Sequence, residues 1–439
     1  MLTAFRNAFR IHDLRNKILF TLFIIALYRL GSTIPVPGAD LSAIADFADQ
    51  AEQSGFVGLL NLFSGGALTQ LSIFALGIMP YITASIILQL LTVVIPKLQS
   101  LQEDGESGRK VITQWTRYVT VILALLQSTG FAYLFHSGQF SNGIDLIPDF
   151  TPRTVIIVVI TMTAGTALLM WMGELITQRG IGNGMSIIIF VSIISQIPGQ
   201  LAILNANSAT YQFVIILGVM LALTVGIIYT EQGQRRIPVQ FSKRIRGRKV
   251  MGGQSTYIPL KVNMAGVIPV IFATSIMYFP ALIASALPPT GWGAGIRDWI
   301  NDNMLSTSGG QGGGGFSPSL WYIGILALLV VFFTYFYTAI QFDPERQAEM
   351  IQRQGGFIPG IRPGRATVNY LSYVLSRITL TGALYLALVT ILPSLLGWLW
   401  GVPVGLSGVS IIIVAGVALE TSKQIESQLT MRNYEGFLS

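Results

Sequence analysis

GIMPYITASII at residues 77–87 and GVIPVIFATSI at residues 266–276 are two versions of one apolar segment. They share Gly, Pro, Ile, Ala and Ile at the same five of eleven offsets, and each interrupts a long uncharged run with a Gly-x-x-Pro step. Paired irregular segments in corresponding halves of a membrane protein point to its functional site. Chance is the alternative, because apolar segments draw on few residue types. The Gly and Pro of each segment predict bends in two related helices.

The composition is that of a membrane protein. Of 439 residues, 52% are hydrophobic and only 11% are charged, whereas soluble domains carry about 25% charged residues. Uncharged runs exceed the roughly 20 apolar residues that cross a bilayer, and the runs of 50 and 42 residues contain turn formers that divide each into two helices. The predicted spans number ten: 18–34, 71–96, 118–135, 154–172, two within 181–230, 263–287, 319–341 and two within 378–419. The first follows a basic leader without a cleavage pattern, which predicts a permanent helix.

The basic residues predict the orientation of these spans. Of the 27 Lys and Arg residues, 24 fall in the N-terminal leader, the C-terminal tail and the loops after even-numbered spans, and the opposite loops hold three against eight acidic residues. Under the positive-inside rule, both termini are cytoplasmic. Residues 77–87 then lie in the second helix of a first half (1–205), and residues 266–276 in the second helix of an oppositely oriented second half (206–439). This is the arrangement of an inverted repeat.

The residue inventory argues against catalysis and ion coupling. The chain has no cysteine and only two histidines, His12 and His136, so disulfides, thiol catalysis and metal centres are not expected. No P-loop or serine-based triad is visible. The span interiors lack Asp, Glu, Lys and His, and we interpret Arg29, Glu174 and Glu420 near span ends as snorkelling side chains. We therefore expect no enzyme activity, no cofactor and no metal.

One apolar segment on the predicted outer face is too short to span the membrane. Residues 55–69 read GFVGLLNLFSGGALT, with about ten apolar residues between glycines. Irregular backbone at membrane depth is tolerated only against protein or a water-filled cavity. We interpret the segment as a movable stopper hinged at Gly55 and at Gly65 and Gly66. A helix lying on the outer surface is the alternative.

Isoleucines at helical spacing suggest an apolar lining. Ile78 and Ile82 share a helix face, and Met185 and Ile189 do so in the fifth span. Ile271 occupies the offset of Ile82 in the repeat. A narrow ring of branched apolar side chains obstructs ions by dewetting but yields to a larger solute. Packing or lipid contact is the alternative role.

Two large cytoplasmic loops, residues 231–262 and 341–370, carry their own signals. The first has eight basic residues, and the alternation of apolar residues at Ile237 and Val239 predicts a hairpin. The second contains GGFIPGIRPG at residues 355–364. A protruding basic loop suits an acidic protein or an RNA backbone. Contact with anionic lipid is the alternative.

Five motifs together resemble the SecY family of bacterial protein-translocation channels. They are NLFSGGAL (61–68), IFALGIMPYI (73–82), RGIGNGMS (179–186), VNMAGVIP (262–269) and FIPGIRPG (357–364), and the likeness runs from about residue 10 to the YEGFL tail. The resemblance implies an all-α membrane protein of the cell inner membrane, with ten transmembrane helices in two inverted five-helix halves around an hourglass pore with a plug. It implies a channel that passes unfolded secretory polypeptides across the membrane and releases hydrophobic segments sideways into lipid.

The resemblance also assigns roles to residues. The pore ring carries over to Ile78, Ile82, Met185, Ile189, Ile271 and Ile413. Met185 departs from the expected aliphatic residue, although a flexible thioether still seals. The plug carries over to about residues 55–69, including Phe56, Leu60, Phe63, Gly65 and Gly66. The lateral gate, between spans two and three and spans seven and eight, carries over to Gln127, Asn263, Ser275, Gly77, Pro80, Gly266 and Pro269, with Gln127 and Asn263 as a polar cluster. Motor and ribosome docking carries over to Arg236, Lys243, Arg244, Arg246, Arg248, Lys249 and Arg362.

The partners implied by the resemblance are a SecE-type clamp subunit, a SecG-type small subunit, a SecA-type ATPase motor, the ribosome, signal sequences with nascent polypeptides, and anionic lipids. Because the chain has no visible nucleotide site, we expect the energy for transport to come from the motor or from translation. Two other classes stay open. A secondary transporter of small solutes would need a charged or coordinating residue at the membrane midplane. A structural scaffold would conduct no ions after deletion of the plug.

Overall fold

The structure is a computed structural model that describes residues 11–51, 61, 63–136, 145–241, 244–246, 249–251, 255–287, 293–303, 320–400 and 407–435. These residues are mostly helical, with two small sheets in the second half of the chain. The helices of the first half are α1 (His12–Gly31), α2 (Leu41–Ala51), α3 (Met79–Val94), α4 (Pro96–Glu103), α5 (Glu106–His136), α6 (Pro152–Arg179) and α7 (Gly184–Asn207).

The second half begins with α8 (Thr210–Gln232). After it follow the strands β1 (Gln234–Phe241), β2 (Arg244–Arg246), β3 (Lys249–Met251) and β4 (Ser255–Lys261), then α9 (Ile268–Ala286), α10 (Ala294–Asn303), α11 (Leu320–Gln341), α12 (Pro344–Arg353), β5 (Gly356–Phe357), α13 (Arg365–Trp400) and α14 (Gly408–Glu435). Each of the ten predicted spans contains or overlaps a helix, namely α1, α3, α5 to α9, α11, α13 and α14.

Seven helices in the described part of the chain are long and apolar enough to cross a bilayer. The number is eight if α3 and α4, which meet at an angle of 106°, form one broken span. The two remaining predicted spans are α1, which carries charged residues at both ends, and α9, in which the continuous stretch of described side chains, Ile268–Met277, is shorter than a span. The prediction of a multi-span helical membrane protein is confirmed at this coarser level.

The Gly-x-x-Pro motifs begin helices, and the predicted bends inside continuous helices are wrong. Gly77 and Gly266 have φ of +58° and +63°, in the left-handed region that favours glycine. Each is followed by a helix that has proline in its first turn, where the missing N–H has no helical partner to lose. In the first half, residues 65–78 are therefore a series of turns rather than helix. Nearly all of them are buried, as irregular backbone at membrane depth requires.

The helix α2 packs against the first half, on the side predicted to be outside the cell. Ser42 donates from its N–H and its hydroxyl to Asp40 Oδ1, at 2.9 and 2.6 Å, and these bonds lower the pKa of the Asp40 carboxyl. Phe47 is fully buried and packs edge-on against Phe135 near the end of α5. Leu68, at the end of the segment interpreted as a plug, belongs to the same apolar cluster. The chain on both sides of residues 52–60 is therefore packed into the first half.

The two loops predicted to be cytoplasmic share one sheet. β1 pairs antiparallel with β4, which confirms the predicted hairpin, and β5 from the second loop pairs with the other edge of β1. Ile237 and Val239 are buried on one face of β1, as their alternation predicts. They pack with Ile351 of α12 and with the first turns of α13. The sequence gives no indication of the pairing with β5, because a two-residue strand has no periodicity to detect.

Candidate pore and lateral gate

The six residues predicted to form a ring lie in one apolar cluster where the two halves meet. Ile78, Ile82, Met185, Ile189 and Ile413 are each less than 10% exposed, and Ile271 is partly exposed and packs against the same cluster. They come from the residue before α3 and from α3, α7, α9 and α14. The helix α7 is started by Asn183, whose side chain accepts from the N–H groups of Met185 and Ser186. This cap places Met185 and Ile189 one turn apart at the start of the helix.

A cavity of about 510 Å³ ends on this ring. Ile189, Ile271 and Ile413 line its apolar part. Its other walls carry polar and charged side chains: Asn183, Ser186, Glu231, Lys261, Asn263, Gln341, Glu420, Lys423, Gln424 and Ser427. The cavity thus brings charged and polar side chains, from segments near the loops predicted to be cytoplasmic, together with three isoleucines of the predicted ring.

Asn263 is buried at the wall of this cavity and pairs with a residue that the sequence did not indicate. Its Nδ2 donates to Glu231 Oε1 at 2.5 Å and to the Gly266 carbonyl at 3.0 Å, and its Oδ1 is buried without a partner. The hydrogen bonds of Asn263 connect the end of α8 to the turn before α9. Its polar cluster with Gln127 stays a prediction. The sequence does not single out Glu231, because an acidic residue in the last turn of a span is typical of the end of a membrane segment.

The helix α9 contacts both α3 and α5, so the second half meets the first along the predicted gate. Gln127 on α5 and Ser275 on α9 are both buried in this region of the fold, and the Ser275 hydroxyl donates to the Ile271 carbonyl in its own helix. Pro80 and Pro269 are buried in the first turns of their helices. The seam is thus mostly apolar. Apolar contact between helices gains little in lipid, because lipid tails are equally apolar.

The two motifs differ in what surrounds their glycines. A Cβ added at Gly77 would lie 3.2 Å from Ser64 Cα and 3.3 Å from the Phe63 carbonyl, so the described end of the predicted plug lies against the start of α3. A Cβ added at Gly266 would meet nothing within 4 Å, because Gly266 faces the cavity. Phe63 packs in the same apolar cluster as the ring. Gly55, Phe56 and Leu60 lie outside the described residues.

The predicted docking residues lie on or near the shared sheet. Arg236 is exposed on β1, with its guanidinium 4.9 Å from the centre of the Tyr257 ring, and Arg362 is exposed in the turn before α13. Arg244, Arg246 and Lys249 fall in β2 and β3, for which only the backbone is described, and Lys243 and Arg248 lie outside the described residues. The described arginines are therefore accessible to a partner.

Glu174 was predicted to snorkel. In the structure it forms an ion pair with Arg117 that joins α5 and α6. Arg117 Nε and one terminal nitrogen donate to the two Glu174 carboxylate oxygens at 2.6 and 2.5 Å. Glu174 is only 18% exposed, so a carboxylate at this depth requires a charged partner. Among the described residues, no group of three or more His, Cys, Asp or Glu side chains could hold a metal ion.

Comparisons with known proteins agree on one family. The sequence model of the SecY family matches residues 72–422. The protein translocase subunits SecY of Streptomyces scabiei and Mycobacterium tuberculosis are 52% and 48% identical to the chain, and each alignment covers 100% of both chains. Similar solved structures include one described as a protein-conducting channel (TM-score 0.60, 19% identity) and Sec61 in the canine ribosome-channel complex (TM-score 0.57, 17% identity). Both cover 94% of this chain and 92% of the other, and at these identities they show the fold alone. The chain therefore belongs to the SecY family of protein translocase subunits.

Proposed function

We propose that the chain forms a protein-conducting channel in which an unfolded polypeptide passes through the ring of Ile78, Ile82, Met185, Ile189, Ile271 and Ile413. The observation that carries this proposal is the cavity that three of these residues line together with charged and polar side chains. Aliphatic side chains at a narrow point exclude ions, because ions cannot shed their water there. The same side chains can move aside for a peptide, since they form no directional bonds. Passage and sealing are thus both properties of one apolar ring.

The seam of α9 with α3 and α5 serves as the lateral gate in this proposal. A hydrophobic signal segment that inserts at the seam replaces helix contacts with its own apolar side chains, at little net cost in lipid. The left-handed turns at Gly77 and Gly266 set the direction in which α3 and α9 begin. The pairing of Asn263 with Glu231 holds the start of α9 to α8 on the cytoplasmic side.

The exposed basic side chains of Arg236 and Arg362 provide the surface for a SecA-type motor and for the ribosome. Two structural neighbours, canine Sec61 and yeast Ssh1, are described in complexes with ribosomes, which supports the ribosome as a partner of the proposed channel. The motor or the translating ribosome supplies the energy. The SecE-type and SecG-type subunits pack against the lipid-facing helices, and anionic lipids contact the basic loops.

Ten spans, with both termini in the cytoplasm of an inner membrane, form part of the same proposal. It rests on the concentration of 24 of 27 basic residues in the termini and even-numbered loops. A solute carrier is less well supported. Among the described residues, the carboxylates that line the cavity are Glu231 and Glu420, and Glu231 lies one residue before the end of α8 rather than in the middle of a span.

Replacing Ile82 with asparagine tests the channel. Ile122 on α5 is a matched control, because it is also in a spanning helix but is 57% exposed on the side of the protein that faces lipid. In liposomes that contain the reconstituted translocase, we expect Ile82→Asn to raise the ion leak of the idle channel and to relax the requirement for a hydrophobic signal sequence. We expect Ile122→Asn to change neither quantity. Equal leak and equal selectivity in the two variants would show that Ile82 does not line a pore.

A further inference from the structure

The described end of the predicted plug is attached to α1 and α7 by a buried hydroxyl network. Tyr28 is 1% exposed, and its hydroxyl donates to the Ser64 carbonyl at 2.9 Å. Because that proton is used, the fully buried Ser192 hydroxyl, 2.6 Å away, donates to Tyr28 Oη or to the Ile188 carbonyl of its own helix. One tyrosine thereby joins a span of the first half, the plug segment and the helix that carries Ile189.

A guanidinium holds the next peptide of the same segment. Arg29 donates from one nitrogen to the Gly65 carbonyl at 2.9 Å and to Ser195 Oγ at 3.0 Å. Both acceptors are neutral, and charge-assisted hydrogen bonds of this kind are roughly twice as strong as neutral ones. Arg29 is one of three basic residues on the predicted outer face. It was predicted to snorkel, and the structure directs it inward to the plug segment instead.

The backbone approaches these partners so closely that only glycine fits. Gly65 and Gly66 have φ of +67° and +92°. A Cβ at Gly65 would lie 2.7 Å from Tyr28 Oη and 3.1 Å from Ser192 Cα, and one at Gly66 would lie 2.5 Å from Gln196 Nε2. The two glycines predicted as a free hinge are therefore packed against α1 and α7 in this structure.

The network and the ring share one helix. Ser192 follows Ile189 by three residues and Ser195 follows it by six, so all three lie within two turns of α7. Displacement of this part of α7 by a polypeptide that pushes Ile189 outward would lengthen the bonds between Ser192 and Tyr28 and between Arg29 and Ser195. Tyr28 and Arg29 would then lose the partners that help to hold them against Ser64 and Gly65. Opening of the ring would in this way loosen the contacts of the plug segment.

We propose that Tyr28, Arg29, Ser192 and Ser195 form a plug latch that sets how readily the plug leaves the closed channel and makes its release depend on movement of α7. The inference rests on the proposed function, because it takes residues 55–69 to be the plug. All four are positioning residues: Tyr28 and Arg29 bind the plug backbone, and Ser192 and Ser195 hold Tyr28 and Arg29. Since the contacts with the plug are to backbone atoms, the latch acts on the position of the segment and not on the identity of its side chains.

Exchanging Ser192 for threonine and for valine tests the latch. The two side chains have the same shape, so any steric cost at this crowded position is shared and their difference isolates the hydroxyl. We expect Ser192→Val to leak ions about tenfold more than Ser192→Thr, which is the effect of losing roughly 1.4 kcal/mol. Tyr28→Phe should leak similarly to Ser192→Val, and the double variant Tyr28→Phe/Ser192→Val should leak little more than either, because both changes remove one network.

Two controls separate failure of the latch from failure of the channel. Tyr211→Phe removes a hydroxyl from an exposed tyrosine on α8 and should leave the leak at the level of the unmodified chain. Ile82→Asn should leak in the same assay. If Ile82→Asn leaks but Ser192→Val and Tyr28→Phe do not exceed Ser192→Thr and Tyr211→Phe, the latch is wrong and the channel stands. If none of these variants leaks, both inferences are wrong.

Discussion

Replacing Gly77 and Gly266 separately with alanine would show whether the first Gly-x-x-Pro motif holds the plug. Both glycines have φ in the left-handed region, so replacement with alanine lowers the free energy of unfolding by about 1–2 kcal/mol at either position. Their surroundings differ, because only the Cβ at residue 77 would meet the backbone of residues 63 and 64, at 3.2–3.3 Å. The repeat thus supplies its own control for backbone strain.

The additional cost at residue 77 comes from overpacking. Carbon atoms in contact prefer about 3.5–4.0 Å, so Phe63 and Ser64 must move by a few tenths of an ångström. These are backbone atoms that cannot rotate away, and overpacking of this kind costs about 1–3 kcal/mol. The contact therefore pushes the plug end away from α3, against the hydrogen bond that Tyr28 donates to Ser64. We therefore expect similar strain in both variants and displacement of the plug in Gly77→Ala alone.

Two measurements on the same preparations separate these effects. The midpoint of thermal unfolding in detergent should fall in both variants, and fall further in Gly77→Ala. The ion leak of the idle channel in liposomes should rise several-fold in Gly77→Ala and stay at the level of the unmodified chain in Gly266→Ala. Equal leak in the two variants, or leak in Gly266→Ala alone, would refute the assignment of the plug contact to Gly77.

Two further predictions concern charged residues. Arg362→Glu reverses an exposed charge at the proposed docking surface, and should weaken binding of a SecA-type motor and the transport it drives without raising the ion leak. Arg109→Glu, at an exposed arginine at the start of α5, is the matched control. Equal loss of motor binding and transport in both variants would indicate an effect of net charge rather than of docking. Glu174→Gln leaves Arg117 without its counter-charge, and should lower the unfolding free energy by about 1–3 kcal/mol, below the 3–5 kcal/mol of a fully buried pair because Arg117 is 43% exposed. Unchanged thermal unfolding of Glu174→Gln would contradict a stabilising pair.

The architecture could be predicted from the sequence where a property acts through the surrounding solvent. Apolar length predicted a multi-span helical membrane protein, because the bilayer acts on every residue in the same way. The sidedness of the loops, which follows from the charge distribution, stays a prediction. Helical spacing groups Ile78 with Ile82, and the repeat relates Ile82 to Ile271; all three residues lie in or against one buried apolar cluster. Recognition of the family motifs added Ile413, which no local pattern indicates.

Tertiary pairs could not be predicted in this way. Tyr28 and Ser192 are 164 residues apart, and Asn263 and Glu231 are 32 apart, and none of these side chains has a local feature that names its partner. The start of α3 at Met79 was missed for a related reason. The apolar run from residue 71 has the composition of a helix. Residues 65–78 form turns instead, and their packing against other segments offsets the helical hydrogen bonds that these turns lack.

The strand β5 has a mechanical consequence for the second half. It fastens the loop after α11 to the loop after α8, and the α12 cluster fastens both to the first turns of α13. Four helices are thus connected at one end by the sheet and the cluster, namely α8, α9, α11 and α13. No comparable sheet joins the described loops of the first half. A partner that pulls on either loop moves all four together. If the proposed gate opens in this way, we expect the separation of its helices to be widest at the end remote from the sheet.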